Sequence, residues 1–244
     1  MCIIRRGEKI FVKTRLLLWL AALLLIAGFA ALGRWQLQRA TEKQQMLDSV
    51  AAVLRDRRAQ PLATVNAAAR GYDWVAGRGH FLAAPVLLLD NQRRGDAVGV
   101  LVLGVFQPAA GRPLLVDLGW LPLPGDRRLP DPRLPDGEQS LSGLLAPPLA
   151  AGLALGPAYV RSDARRWLLT RLDLAALGNG LGLTLAPRVL RLDPALPLGY
   201  ARDLDVLPNT LPPERHRGYA VQWFGLALAT LILALYLGFR RRPA

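Results

Sequence analysis

The stretch AVQWFGLALATLILALYLGF, from Ala220 to Phe239, contains no charged residue over 20 positions. A helix needs about 20 apolar residues to cross the hydrocarbon core of a bilayer, so this stretch predicts a membrane-spanning helix. A second uncharged run, LLLWLAALLLIAGFAALG, occupies residues 16–33 near the other end of the chain. The two runs predict a helical hairpin in the membrane, with a long segment between the spans on one side of it.

The overall composition agrees with a membrane protein that carries a polar part. Hydrophobic residues make up 52% of the chain and the mean hydropathy is +0.23, although 20% of the residues are charged. Proline and glycine interrupt all the remaining apolar stretches, which excludes a third regular membrane span. A cleaved signal peptide is the alternative for the first run, but the run exceeds a signal core of ~7–15 residues and lacks a small-x-small exit.

Basic residues predict the orientation of the two spans. Five of them precede the first run and three follow the second, so the positive-inside rule places both termini on the cytoplasmic side. This predicts a basic arm (1–15), a first span (16–33), an external domain (34–217), a second span (218–239) and a basic tail (240–244). The basic residues of the two arms are Arg5, Arg6, Lys9, Lys13, Arg15, Arg240, Arg241 and Arg242.

The net charge of +13 and the pI near 11.2 raise the question of nucleic-acid binding. Much of that excess lies where the topology requires it, and no basic stretch is interleaved with aromatic residues as a base-stacking surface would be. We therefore expect no nucleic-acid partner. The single cysteine, Cys2, precedes the first span, so the external domain is expected to have neither a disulfide nor a thiolate metal site.

The external domain is predicted to be α+β, with a mostly antiparallel sheet and short helices. No Gly or Pro occurs from Trp35 to Arg58 and apolar residues recur there at helical spacing, so the first span is expected to continue outward as an amphipathic helix. A short helix is expected to begin at Asp173, and GNGLG (178–182) is interpreted as its terminating turn. The predicted strands lie within residues 73–82, 85–91, 98–106, 113–121, 138–146, 165–172 and 187–193.

The usual catalytic motifs are missing from the sequence. It has no Gly-x-Ser-x-Gly elbow, no His-Glu-x-x-His pair, no phosphate-binding Gly-x-x-x-x-Gly-Lys loop and no Cys pair. His80 falls in a predicted strand and is interpreted as a histidine on the sheet surface. Asp203 and Asp205 lie in a Pro-flanked segment and are expected to be solvated. These observations predict a protein that is not an enzyme.

His216 is the candidate functional residue. Tyr219 follows it at i+3 and Trp223 at i+7, which on a helix puts His216 and Trp223 on nearly the same face, ~10 Å apart along the axis. A neutral imidazole at the membrane edge with an indole below it could ligate an iron and contact a flat apolar macrocycle. The alternative is an ordinary interfacial belt, in which Trp and Tyr are common and Arg215 and Arg217 extend to the polar layer.

Several motifs resemble the Surfeit-locus family of cytochrome c oxidase assembly proteins. HRGYAVQWFGLALA, at the start of the second span, is similar to the family's His, Tyr-Ala and Trp-Phe signature, and GRWQLQRATEKQ (33–44) resembles its Gly-x-Trp-Gln-x-x-Arg motif. LLVDLGWLP resembles a central strand that ends in Gly-Trp-x-Pro. One departure occurs, because Asp117 and Leu118 stand where many members have Asn-Arg, and this makes any role of that basic residue in partner contact doubtful.

The resemblance implies an integral membrane assembly factor for haem-copper cytochrome c oxidase, in a bacterial inner membrane with its central domain in the periplasm. It implies transient binding of haem a and help in its delivery to oxidase subunit I, with other oxidase assembly or haem a synthesis proteins and membrane lipid as further partners. His216 would ligate the haem iron and Trp223 would contact the porphyrin, with Tyr219 beside them. The candidate partner contacts are Trp35, Gln36, Arg39 and Trp120.

Two other functions are compatible with the sequence. The first is a haem-independent scaffold that holds oxidase subunits during assembly, using Trp35, Trp120 and the external sheet. The second is a membrane sensor or enzyme, which predicts a concave cluster of titratable side chains around His80 or Asp117. The sequence shows no such cluster, so we rank this reading last.

Overall fold

The computed structural model describes residues 4–64, 71–149, 156–206 and 211–240, with the exception of the side chains of residues 4–14 and 64. Cys2, Arg241 and Arg242 lie outside the described residues. The chain divides into two compact units, a helical unit (Met1–Leu47 with Thr210–Ala244) and a β unit (Asp48–Asn209). The three described α-helices are α1 (Ile4–Asp56), α2 (Leu174–Leu181) and α3 (Pro213–Phe239).

The helical unit contains two helices of membrane-spanning length. The predicted spans 16–33 and 218–239 fall within α1 and α3, and α1 continues without a break to Asp56, as the lack of Gly and Pro predicts. Only 6% of the most apolar 18-residue window in each helix is buried inside the protein. A core helix of a soluble protein would bury most of such a window, so these helices indicate a membrane protein.

The two helices of this unit contact each other along a narrow stripe of small and half-buried residues. On α3 the stripe repeats at steps of three and four residues, which is the spacing of a seam between two packed helices. Gly33 and Ala40 on α1 and Ala220 on α3 are buried. Small residues let helix backbones approach closely in a membrane, where packing replaces the hydrophobic effect. The α3 stripe is Pro213, His216, Ala220, Trp223, Ala227, Thr230, Ala234 and Gly238.

The described part of the β unit forms a nine-stranded mixed sheet in the order β1-β2-β6-β9-β5-β4-β3-β8-β7. The end of β4 also pairs with β2, so that β2, β6, β9, β5 and β4 close into a ring. Most of the pairings are antiparallel, and the predicted α+β class is confirmed. The strands are β1 (Gln60–Pro61), β2 (Asp73–Phe81), β3 (Val86–Arg94), β4 (Ala97–Pro108), β5 (Leu114–Pro122), β6 (Glu138–Ala146), β7 (Tyr159–Arg161), β8 (Arg166–Leu169) and β9 (Val189–Leu192).

Two apolar cores lie on opposite faces of the sheet, because side chains alternate along a strand. One core takes residues from all five ring strands, among them Val75, Val102, Phe106, Val116 and Leu145, and fills the ring. The other lies between the sheet and α2 and includes Trp167, whose ring stacks on Tyr159 at 4.6 Å. The end of α1 adds a third, smaller cluster around Trp74.

The predicted short helix and its ends are present. Asp173 caps the amino end of α2, where its carboxylate accepts a hydrogen bond from the backbone N–H of Ala176 at 3.0 Å. Gly182 ends the helix in the left-handed region, with a φ of 69°. The GNGLG segment is therefore the terminating turn that the sequence predicts.

Candidate functional site at the start of the second span

His216 lies in the first turns of α3, and its ring is directed at α1. Only 8% of the residue is exposed. Its Nδ1 atom is 2.6 Å from Oε1 of Gln36 on α1. An amide oxygen can only accept a hydrogen bond, so Nδ1 carries the proton and donates it, and Nε2 carries the lone pair.

The Nε2 atom of His216 is buried and has no hydrogen-bond partner among the residues that the structure describes. A buried nitrogen lone pair without a partner is unfavourable, and such groups are uncommon in folded proteins. It is also the atom through which a neutral imidazole binds a metal when Nδ1–H is held by a neighbour. The site therefore fits an iron ligand better than an interfacial histidine whose ring meets water.

The surroundings of His216 favour the neutral ring. His216 precedes the apolar stretch 218–239, and burial lowers its pKa, with further lowering from the positive charges of Lys43 and Arg39. Lys43 donates through Nζ to the backbone carbonyl of Leu211, just before α3 begins. Cations on α1 thus lie beside the start of α3, and they disfavour a second proton on the imidazole.

Trp223 and Tyr219 have different surroundings. Trp223 lies on the α1-facing stripe with His216, as the spacing of seven residues predicts, and its ring stacks on Phe29 at 5.8 Å with an interplanar angle of 27°. It is half-buried. Tyr219 lies off the stripe and is 41% exposed. The structure therefore groups Trp223 with His216 and leaves Tyr219 on the outer side of α3.

The four candidate partner contacts are not equally exposed. Trp35 is 50% exposed, whereas the side chain of Gln36 is hydrogen-bonded to His216. Arg39 pairs with Glu42 on its own helix at 2.9 Å. Sequence reasoning missed the Gln36–His216 pair, although Gln36 falls at the three-four spacing between Gly33 and Ala40 that marks the helix interface.

Trp120 lies in the β unit and is partly buried. Its indole Nε1 donates to the carbonyl of Gln92 at 2.9 Å. A Cβ added at Gly99 would come within 2.6 Å of the indole ring, so that glycine makes room for it. Trp120 is therefore anchored inside its own unit, with part of the ring accessible.

Asp117 lies in an open cleft of the β unit. The sequence shows no titratable cluster around Asp117, but the structure has one, because Arg191, Arg202, Asp203 and Asp205 also line the cleft. It was missed because the cluster joins residues far apart in sequence. His80, the other residue around which a titratable cluster would indicate a sensor or enzyme, is exposed on β2, as expected for a histidine on the sheet surface.

The charged side chains of this cleft mainly bind one another and the backbone of neighbouring segments. The carboxylate of Asp117 accepts the N–H of Gly119 at 2.9 Å and lies 3.5 Å from Arg191. Burial raises the pKa of Asp117, and the charge of Arg191 opposes this. Arg191 also donates to the carbonyls of Asp203 and Asp205. Asp203 itself is 56% exposed at its side chain and pairs with Arg94 at 3.3 Å.

Leu118, at the position where many Surfeit-locus proteins have a basic residue, points into the core of the ring. It is 1% exposed. It is the extra residue of a β-bulge, since Val102 pairs with Gly119 and Leu103 with Asp117. A cation here would be buried among apolar side chains, which is unfavourable without a partner. In this chain the position serves packing.

A search of curated proteins finds no match to the chain. A model of the SURF1 family matches residues 23–228, from within α1 to within α3. That range covers well over half of the sequence and includes the whole β unit and the pair formed by Gln36 and His216. The chain therefore belongs to the SURF1 family, and this membership implies a role in cytochrome c oxidase assembly.

Proposed function

We propose that this protein is an integral membrane assembly factor for haem-copper cytochrome c oxidase that binds haem a at His216 and assists its delivery to the catalytic subunit. The observation that carries the proposal is the buried Nε2 of His216, which has no partner in the described structure while Nδ1 is held by Gln36. This arrangement leaves one oriented lone pair for an iron.

The chain's own residues would hold the cofactor in three ways. His216 would offer Nε2 as the iron ligand, Gln36 would fix the ring and its tautomer, and Trp223 would offer aromatic surface to the macrocycle. When bound, haem a supplies an iron with axial coordination sites on a flat apolar ring. A site with one protein ligand suits transfer, because the acceptor protein has only one coordinate bond to replace.

The same proposal includes location and partners. We place the protein in a bacterial inner membrane with both termini in the cytoplasm and the β unit in the periplasm. Its partners would be oxidase subunit I, other oxidase assembly or haem a synthesis proteins, and membrane lipid. Neither catalysis nor nucleic-acid binding is part of this function.

A haem-independent scaffold is the second candidate. The exposure of Trp35, half of whose surface faces outward beside the first span, favours it. A scaffold would hold oxidase subunits through Trp35 and the external sheet, and His216 would then be replaceable. Purified protein would be colourless.

The test is an absorbance spectrum of full-length protein purified from cells that make haem a. We expect a Soret band in the wild type, its loss in His216→Ala and a shifted or weakened band in Trp223→Phe. His80→Ala is the matched control, because it removes an exposed histidine of the β unit and should leave the band unchanged. A band that survives His216→Ala, or colourless wild-type protein that still supports oxidase assembly, would favour the scaffold.

A further inference from the structure

Positively charged residues are concentrated at the outer ends of both spans, where the positive-inside rule does not require them. Residues 34–44 and 211–217 together hold five cations and only two carboxylates, those of Glu42 and Glu214. The positive-inside rule accounts for cations at the opposite ends of these helices and gives no reason for these. The five cations are Arg34, Arg39, Lys43, Arg215 and Arg217.

Two of these cations lie close to His216. Arg39 follows Gln36 by three residues and Lys43 follows it by seven, so all three share one side of α1. Gln36 contacts the His216 ring and Lys43 contacts the Leu211 carbonyl, which places the cations beside the start of α3 and away from the apolar stretch. The amino end of the 27-residue α3 adds its own partial positive charge there.

Both cations have hydrogen-bonding capacity left for a ligand. Lys43 uses one of its three N–H donors on the Leu211 carbonyl. Arg39 donates through Nη1 to Glu42, and that pair is about half exposed, so it is weak and exchangeable. The only buried polar atom nearby without a partner among the described side chains, Nε2 of His216, marks where a ligand would be held.

We propose that Arg39 and Lys43 form a carboxylate-binding site that receives the propionate groups of the haem held at His216. This inference rests on the proposed haem site and deepens it. A haem carries two carboxylates on one edge of an apolar ring, and burying a carboxylate in hydrocarbon is strongly unfavourable. With the iron at Nε2, the carboxylate edge must face the polar layer, where Arg39 and Lys43 offer charge-assisted hydrogen bonds.

The test compares two probes, ferric protohaem and its dimethyl ester, which share the iron and the ring but differ in the carboxylates. Full-length protein in a neutral detergent is titrated with each probe, and the Soret shift gives the dissociation constant. We expect wild type to bind the acid form at least about tenfold more tightly than the ester, as loss of charge-assisted hydrogen bonds implies. The double variant Arg39→Gln/Lys43→Gln should bind the acid form more weakly by a similar factor, and its affinity for the ester should equal that of wild type.

The controls separate the two proposals. Arg240→Gln removes a cation at the opposite end of α3 and should change neither titration. Two results would overturn the carboxylate site and leave the His216 site standing. The double variant could lose the same factor of affinity for the acid and the ester, or it could bind the acid form as tightly as wild type does. If neither probe shifts the Soret band of wild type, or the shift survives His216→Ala, the haem site is overturned and the carboxylate inference with it.

Discussion

The histidine at the start of the second span is identified by its burial and its partner. An interfacial histidine would direct its ring to water and headgroups, since a polar side chain gains nothing by turning inward. His216 instead turns toward α1, donates to Gln36 at 2.6 Å and keeps Nε2 buried. In the proposed haem site Gln36 would be a positioning residue, because its amide oxygen holds Nδ1 and leaves Nε2 free.

Replacing Gln36 tests this positioning. Gln36→Leu keeps the side-chain size and removes the acceptor, so we expect a 10- to 100-fold loss of affinity for ferric protohaem, the usual scale for outer-shell partners of a metal ligand. Gln36→Glu keeps an acceptor oxygen and should restore most of the binding. Soret titration measures both. Wild-type affinity in the Leu variant would show that the amide does not orient the ring.

The buried carboxyl of Asp117 makes the stability of the β unit depend on pH. Burial raises its pKa in the folded protein, whereas in the unfolded chain it titrates near its ordinary value of ~4. Above ~4 the folded state therefore retains a proton that the unfolded state has released, and stability falls as the pH rises to the folded pKa. Asp117→Asn replaces the carboxyl with an amide that does not titrate, so it removes this dependence on pH.

We expect the thermal midpoint of wild type minus that of Asp117→Asn to decrease as the pH rises from ~4 toward neutrality. Tryptophan fluorescence of the full-length protein in detergent reports the midpoint, and the subtraction cancels the other titrating groups. The opposite slope would mean that Arg191, 3.5 Å away, outweighs burial and lowers the pKa instead.

At the scale of elements, the packing of α1 on α3 depends on small residues at the stripe. Ala220 is 1% exposed and lies between His216 and Trp223 on the α1-facing side. Ala220→Leu should force the helices apart, because overpacking typically costs about 1–3 kcal/mol, and it should weaken protohaem binding by separating Gln36 from His216. Ala229→Leu is the matched control on an exposed position of the same helix. Equal binding by both variants would contradict close packing at Ala220.

The bulge in β5 depends on Gly119. Its φ is +112°, and an added Cβ would lie 2.7 Å from the backbone oxygen of Tyr200. Gly119→Ala should therefore destabilise the β unit by at least about 1–3 kcal/mol, the scale of backbone strain at such positions. Gly125→Ala serves as control, because the space around Gly125 is open and its φ is not positive. Thermal midpoints of the two variants check this, and a small effect at both would mean that the bulge can rearrange.

The elements could be predicted largely because their signals are local. Apolar runs bounded by Gly, Pro, Asn and Asp predicted β2 to β6, β8 and β9 within a few residues, while β1 and β7 span only two and three residues and carry no pattern. The closure of the ring could not be predicted, since it depends on the pairing of Phe81 with Phe106. The Gln36–His216 contact joins residues 180 positions apart, and only the fold brings them together.

At the scale of the whole molecule, the two units divide the physical tasks. The helical unit exposes the long apolar surfaces of two candidate membrane spans, and the β unit buries its own ring core without disulfides. The proposed haem site lies at the polar end of the helical unit, where the apolar ring and the carboxylate edge of a haem would both find suitable surroundings. The functional assignment therefore requires the predicted orientation of the spans.

Cysteine labelling tests that orientation, because Cys2 is the only cysteine of the chain. We expect a membrane-impermeant maleimide to label Cys2 in spheroplasts only after they are permeabilised, since the basic arm is predicted to be cytoplasmic. In a Cys2→Ser background, Gly125→Cys is exposed in the β unit and should be labelled in intact spheroplasts. The reverse pattern would invert the topology. If the first run were a cleaved signal, the purified chain would lack Cys2 and its mass would be smaller by that segment, and the hairpin that joins Gln36 to His216 would lose most of its first helix.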